Sequence, residues 1–463
     1  MIAYINNDPL EVLFALLFAI LAGTIIVIWR KEPQKIYFAL VFYIPLSLKS
    51  SFGSLSIYLF ISFYLLVLLF YPSSIRKNSV HPIEFLVLLL VVFSVSLSLI
   101  TTPNFFFKDA GKLRISKDLL SIIIMISNVA IYHLSKIFLR TKFDFITFFK
   151  VTVLGGGIAS LAGYMQAFEY ENNPFFKYIA FSQNTKWGST RVAATMQGYE
   201  FLAEYTVILI GFCTILFLVE RKRFTRLIYA LSIINFILLL TLTQVRGIYV
   251  AFALALLYLI ILLFFNGKFG TMMKVAFFSC LTFILLLSSI LIIDQFRPDT
   301  RFIDRIVKLQ NIDVKEGSLD TRSGVWDYGL QVFQSMSLSE KFIGSGHKHL
   351  APDKQNRGKW PHCLYLSYPI RDGVIGFFFF LLFLLIVYKN SLVGVIRSYK
   401  LVDKNLYMIA LILHLLFVII LIDELKIEFI RLGRSQNIVW LFWGTIMAYS
   451  SYLKNEITNR LSI

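Results

Sequence analysis

Apolar runs of roughly 20 residues, the length that crosses a bilayer core as a helix, recur along this chain from end to end. They fall at about residues 9–29, 36–48, 54–72, 82–101, 119–138, 148–168, 199–219, 227–244, 247–265, 274–294, 364–388, 406–423 and 437–454. The run at 36–48 is short and stops near Pro45, which reads as a half-span or as part of its neighbour, so the total is about 12–13 spans. Composition agrees: 57% of residues are hydrophobic and the mean hydropathy is +0.73, well above a soluble domain. The 46 phenylalanines point to a lipid-facing surface as well as a core. The expected fold is therefore all-α, a polytopic transmembrane helical bundle. A single membrane domain covers 1–463, with one large outer loop containing short helices, 295–363, inserted between spans. No fixed-period repeat and no low-complexity linker divides it. The first eleven residues carry Asp8 and Glu11 and no basic residue, so the first run reads as a retained span and not a cleaved signal.

The net charge of +18 does not mean nucleic acid. Basic residues sit in short clusters between apolar runs, at 30–35, 76–77, 140–150, 220–226 and 389–404, and these connections alternate correctly as cytoplasmic. The partners implied are membrane lipids with anionic headgroups. This orientation puts 102–118, 169–198, 295–363 and 424–436 on the outer side. Those segments are also basic, with Lys108, Lys112, Arg114, Lys186, Arg191 and many more within 297–359, against the usual bias. An anionic substrate on that side would account for them. Three cysteines, Cys213, Cys280 and Cys363, form no disulfide framework.

Polar residues beside spans single out four places. Thr190-Arg191 precedes the span that carries Glu200 and Glu204. Thr243-Gln244-Val245-Arg246-Gly247 lies at the outer junction of two spans. Ser318 to Arg322 opens a short amphipathic helix with Trp326, Leu330 and Phe333 on one face. His362 stands just before the span at 364–388. Arginine forks pair with phosphate oxygens and stay charged, while a neutral histidine can take a proton from a hydroxyl near pH 7. Together they suit attack of a hydroxyl on a carbon whose leaving group is a lipid pyrophosphate, with Arg191, Arg246 and Arg322 neutralising the departing charge.

Each residue also has a plainer reading. An arginine at a span end ordinarily snorkels to headgroups, and His362 alone is an interfacial residue like others. His133 and His414, inside spans, read as interhelical hydrogen-bond partners. Glu200 and Glu204 read as carboxylates favouring a helix N-terminus. The triplet Gly155-Gly156-Gly157 with Ala159 and Gly163 reads as close helix packing. His347, His349, His362 and Cys363 match no standard zinc spacing, and Lys348 and Lys354 add positive charge among them. Neither a metal nor any other cofactor is expected.

In this order and setting the motifs resemble the O-antigen ligase and O-antigen polymerase superfamily of bacterial inner-membrane glycosyltransferases. A T-R before a span, a T-x-x-R-G similar to the family's S-R-G, and S-x-x-x-R-x-x-x-W from Ser318 to Trp326 come first. Then F-I-G-S-G-H resembles its G-x-G, P-H-C-L-Y-L resembles its H-N-x-y-L, and Asp372 to Gly376 closes the block. Cys363 stands where the family has asparagine, and Val245 where it has serine. The resemblance covers about 190–380. It implies that Arg191 and Arg246 grip the diphosphate of an undecaprenyl-diphosphate-linked glycan donor, that His362 activates the acceptor hydroxyl, and that Arg322 supports charge nearby. The implied enzyme is a metal-independent inverting glycosyltransferase in the bacterial inner membrane, its active site in the periplasm. The acceptor would be lipid A–core oligosaccharide for a ligase, or a second lipid-linked glycan for a polymerase. A lipid-linked oligosaccharide flippase is a reading from another class, disfavoured because ionisable residues within the spans are few.

Overall fold

In a computed structural model the chain is described over residues 32–47, 49–50, 53–71, 81–101, 106–109, 112–167, 191–196, 198–296, 318–349, 361, 363–401, 403–426 and 433–461. The apolar runs become helices, since hydrocarbon offers no partner for backbone N–H and C=O groups except the helix itself. In order these are α1 (Pro33–Tyr43), α2 (Leu55–Phe70), α3 (Pro82–Thr101), α4 (Lys117–Phe138), α5 (Lys142–Ala167), α6 (Tyr199–Val219) and α7 (Arg223–Thr243). They continue with α8 (Arg246–Phe265), α9 (Phe269–Phe296), α10 (Ser318–Ser335), α11 (Leu338–Ile343), α12 (Leu364–Lys400), α13 (Lys404–Asp423) and α14 (Gly433–Leu461).

Among the described residues, eight helices are long and apolar enough to cross a membrane: α3 to α8, α12 and α13. The chain is thus an all-α, multi-pass membrane protein. Helices α9 and α14 occupy the expected runs at 274–294 and 437–454, while the run at 9–29 lies outside the described residues. The short run is resolved too. Helix α1 has 11 residues and ends in a 3-10 turn, Ile44–Leu46, around Pro45, so it cannot span and docks on α5 instead. Two small antiparallel hairpins connect helices, β1 (Lys49–Ser50) with β2 (Gly53–Ser54) between α1 and α2, and β3 (Phe106–Asp109) with β4 (Lys112–Ile115) between α3 and α4, Phe106 opposite Ile115. The apolar pattern did not announce either.

Buried aromatic residues of α4, α12 and α14 form the centre. Phe383 stacks on Trp440 at 4.8 Å, and Tyr132 meets both edge-on. Two of the three consecutive glycines of α5 pack closely, since a Cβ on Gly155 would lie 2.7 Å from Phe42 O and one on Gly156 2.4 Å from Leu209 Cδ1, whereas Gly157 faces open space. His133 meets Tyr64 Oη at 2.9 Å, and His414 lies between Tyr258 Oη and Ser391 Oγ, so both join neighbouring helices as their positions predict. Outward, α8 shows an exposed apolar stripe, Val250, Leu254, Leu257, Ile261 and Phe265, suited to lipid.

Segments expected on one side do meet. At one end Gln34 donates to Asp144, Lys142 pairs with Asp403, and Arg460 donates to Leu401 O. At the other end Thr101 donates to Gly344 O, Val192 N–H to Leu242 O and Leu364 N–H to Glu424 O. Below, these are the Lys142 end and the Arg246 end. Helix α12 breaks near the latter. Gly373 takes φ 72°, ψ 172°, a backbone state that glycine alone adopts readily, so 364–372 runs in a different direction from 374–400.

Candidate functional site

The site is built where four separate segments reach the Arg246 end. The stretch after Arg191 is pinned first. Gln166 Oε1, at the end of α5, accepts from Ala193 N–H at 3.0 Å and Ala194 N–H at 2.8 Å. Val192 N–H donates to Leu242 O, which sets this stretch beside the last turn of α7. Arg191 itself is half-buried, its guanidinium 4.6 Å from the centre of the Tyr199 ring. That cation–π contact is worth about 0.5–2 kcal/mol and holds the charge at the mouth of α6.

Arg246 opens α8 just after Gln244, whose left-handed backbone turns the chain out of α7. No side chain caps the start of α8 and no acidic residue lies in its first turn, so its leading N–H groups and the guanidinium act with one sign. Such an end attracts an anion. Gly247 follows, and its missing side chain has a use: a Cβ there would sit 2.1 Å from Lys426 Cδ. Lys426 therefore lies across the start of α8 and reaches Asp423 Oδ1 at 2.7 Å. Asp423, Glu424 and Lys426 are all buried, as is Glu204 on α6, close enough to Asp423 to interact with it electrostatically. This corrects the reading of Glu204. It lies more than a turn inside α6, whose N-cap is Gly198 with no side-chain cap, and it serves a buried charge cluster and not the helix end.

The 424–426 turn also receives the start of α12 through the Leu364 N–H to Glu424 O bond, 2.9 Å. Pro361 and Cys363 are buried there, while His362 between them in sequence lies outside the described residues. Helix α10 closes the set. A Cβ on Gly329 would lie 2.6 Å from Leu366 Cδ2 and 3.2 Å from Pro361 Cγ, so α10 docks on the start of α12 through its glycine. Arg322 is two turns earlier on α10, its side chain outside the described residues. Helix α10 forms where the sequence places it, and its apolar face is only partly covered. Phe333 packs with Met336 and Ile370, but Trp326 and Leu330 stand exposed, because docking through Gly329 turns them away.

A second cluster sits along the broken helix. Ser345 N–H and Oγ both donate to Ile370 O, and Gly346 N–H donates to Arg371 O, so the S-G-H segment caps the carbonyls freed by the break. Arg371 and Asp372 are buried together, with Nε to Oδ2 at 2.9 Å. Asp118 accepts from both His347 N–H and His347 Nδ1, at 2.7 and 2.9 Å. Beside them Glu340 receives Lys348 Nζ at 2.7 Å, and the Lys348 hydrogen bond, ahead of the Ser337 amide, holds its carboxyl down to about 2. His349 Nε2 is 3.5 Å from the same carboxylate. The two histidines thus face different carboxylates. Among the described residues no group of three or more potential ligands forms a metal centre.

The structure thus brings Arg191, the Arg246–Gly247 pair, the α10 helix of Arg322 and both neighbours of His362 to one end. Sequence reasoning missed Asp423, Lys426, Arg371 and Asp118, and it marked Asp372 only as part of a motif and not as the partner of Arg371. The signal available was weak, a D-E-L-K turn and an R-D pair that look like solvated loop. No family model matches this chain, and no curated protein matches it by sequence.

Proposed function

We propose that this protein is a membrane glycosyltransferase that moves a glycan from an undecaprenyl-diphosphate carrier to an acceptor hydroxyl. The observation that carries the reading is the meeting of Arg191, Arg246 and the start of α12 at one end of the bundle. A cationic helix start beside a second arginine suits a diphosphate, and the leaving diphosphate gains charge as the sugar departs. His362 takes the acceptor proton, the acceptor oxygen forms the new bond to the anomeric carbon with inversion, and undecaprenyl diphosphate leaves. Arg322 supports charge from α10.

The acceptor we assign is lipid A–core oligosaccharide, which makes the protein an O-antigen ligase-like enzyme of the bacterial inner membrane acting at the periplasmic face. Its phosphates would be drawn by the basic 295–363 loop. A strain lacking the gene should then accumulate full-length polymer on its carrier, with bare core. Single repeat units on the core would mean a polymerase instead.

Variants test the roles. His362→Ala should abolish transfer and keep donor binding, whereas Arg191→Ala and Arg246→Ala should each weaken donor binding by about 1–3 kcal/mol. Lysine at either position should rescue only in part, since it cannot fork. His347, with its carboxylate partner, has the form of an oriented base. If His347→Ala is dead and His362→Ala active, the base is His347 and the assignment to His362 fails.

A further inference from the structure

The Lys142 end holds a recess that the proposed transfer reaction does not use. It has a volume of about 410 Å3 between α5, the end of α6 and the start of α7. Lys142 and Lys150 line it from α5, and Arg221 and Lys222 from the link between α6 and α7. The one carboxylate in its wall, Glu220, is turned back on its own link, accepting from Arg221 N–H at 2.8 Å and Lys222 N–H at 3.1 Å. Lys142 is shared with Asp403 at 3.5 Å. Lys150, Arg221 and Lys222 make no ion pair with another described residue.

Helix α7 starts at this recess in a way that ordinary helices avoid. Its N-cap is Lys222, it has no side-chain cap and no acid in its first turn, and Arg223 and Arg226 follow. Cations at a helix N-terminus oppose the dipole, and the arrangement becomes favourable once an anion sits there. Between the cations the lining is apolar, made by Ile146, Leu216 and Val219, with Tyr229 and Asn405 completing it. Next to the basic rim, Phe143 on α5 and Phe224, Leu227 and Leu231 on α7 stand exposed, Phe143 and Phe224 at 76% and 75%.

We infer that this recess binds the phosphate headgroup of an anionic phospholipid, with the acyl chains lying along the exposed apolar residues of α5 and α7. A free phosphate would use the cations alone and leave that apolar surface without a role. The basic loops mark this end as cytoplasmic, where the leaflet supplies such lipids.

Native mass spectrometry of the full chain in neutral detergent, titrated with phosphatidylglycerol or phosphatidylcholine, tests this. Wild type should retain phosphatidylglycerol in preference to phosphatidylcholine. The exposed triple Lys150→Gln, Arg221→Gln, Lys222→Gln should lose that retention by at least about tenfold. Neutralising Lys35, Lys389 and Lys454, exposed at the same end but outside the recess, should leave it unchanged. Equal retention in both triples, or no preference for the anionic lipid, overturns the proposal. So does displacement of the lipid by inorganic phosphate at equal molar concentration, which would mark a site for the soluble anion. A melting temperature unchanged in both triples shows that the comparison is between folded proteins.

Discussion

A methyl group on Gly247 would meet Lys426 Cδ at 2.1 Å and Cε at 2.2 Å, so the lysine would have to leave its course across α8. Its ammonium would then part from Asp423, which is wholly buried beside Glu204. Removing one partner of a buried ion pair costs about 3–5 kcal/mol, because the other charge remains without compensation. Lys426→Ala should therefore lower stability by about 3–5 kcal/mol and Gly247→Ala by less, since the flexible lysine stem can move aside, and the double variant should be little worse than Lys426→Ala alone. Denaturation in detergent as a double-mutant cycle reads this directly; simple additivity would show that the two act separately. The arginine of the R-G pair was legible in the sequence because its charge stands out. The glycine's purpose was not, since its partner Lys426 lies far along the chain.

At the scale of elements, the broken helix ties two segments together. A Cβ on Gly373 would lie 2.2 Å from Phe342 O and 2.5 Å from Gly344 N, and its φ of 72° is unfavourable for alanine. Gly373→Ala should lift the 344–347 segment from Ile370 and Arg371, at a cost of about 1–3 kcal/mol or more, and open it to protease. Gly157→Ala, where a Cβ meets nothing within 4 Å, is the matched control and should be neutral or stabilising by about 0.5–1 kcal/mol. The neighbouring helix α11 responds to acid. Glu340 is held to about 2 when folded, against about 4.3 in an unfolded chain. Its contribution is complete above about pH 4.3 and is lost as pH falls towards 2. Melting temperatures of wild type and Glu340→Gln should differ at pH 7 and converge by about pH 2; a constant gap would refute the role given to Lys348. None of this could be read from the run at 364–388. Apolar residues on both sides of P-I-R-D-G suggested one uninterrupted span, and an adjacent Arg371–Asp372 pair looks solvated until its neighbours are known.

For the whole molecule, the spans were plain because length and apolarity repeat one physical requirement many times. The run at 199–219 is α6, Tyr199–Val219, and that at 247–265 is α8, Arg246–Phe265. Connections were less plain, since a hairpin such as β3–β4 or a buried turn such as 424–426 depends on partners remote in sequence. That same remoteness has a consequence in time. The polypeptide is made from its N-terminus, at about 5–20 residues per second. Arg191, Glu204 and Arg246 therefore enter the membrane about 10–50 s before Asp423 and Lys426 exist to meet them. Through that interval the half-made chain must hold Glu204 without the Asp423–Lys426 pair that later stands beside it. A chain cut short after α12 would stay in this condition, because α13 and the turn that follows it supply the partners of Glu204.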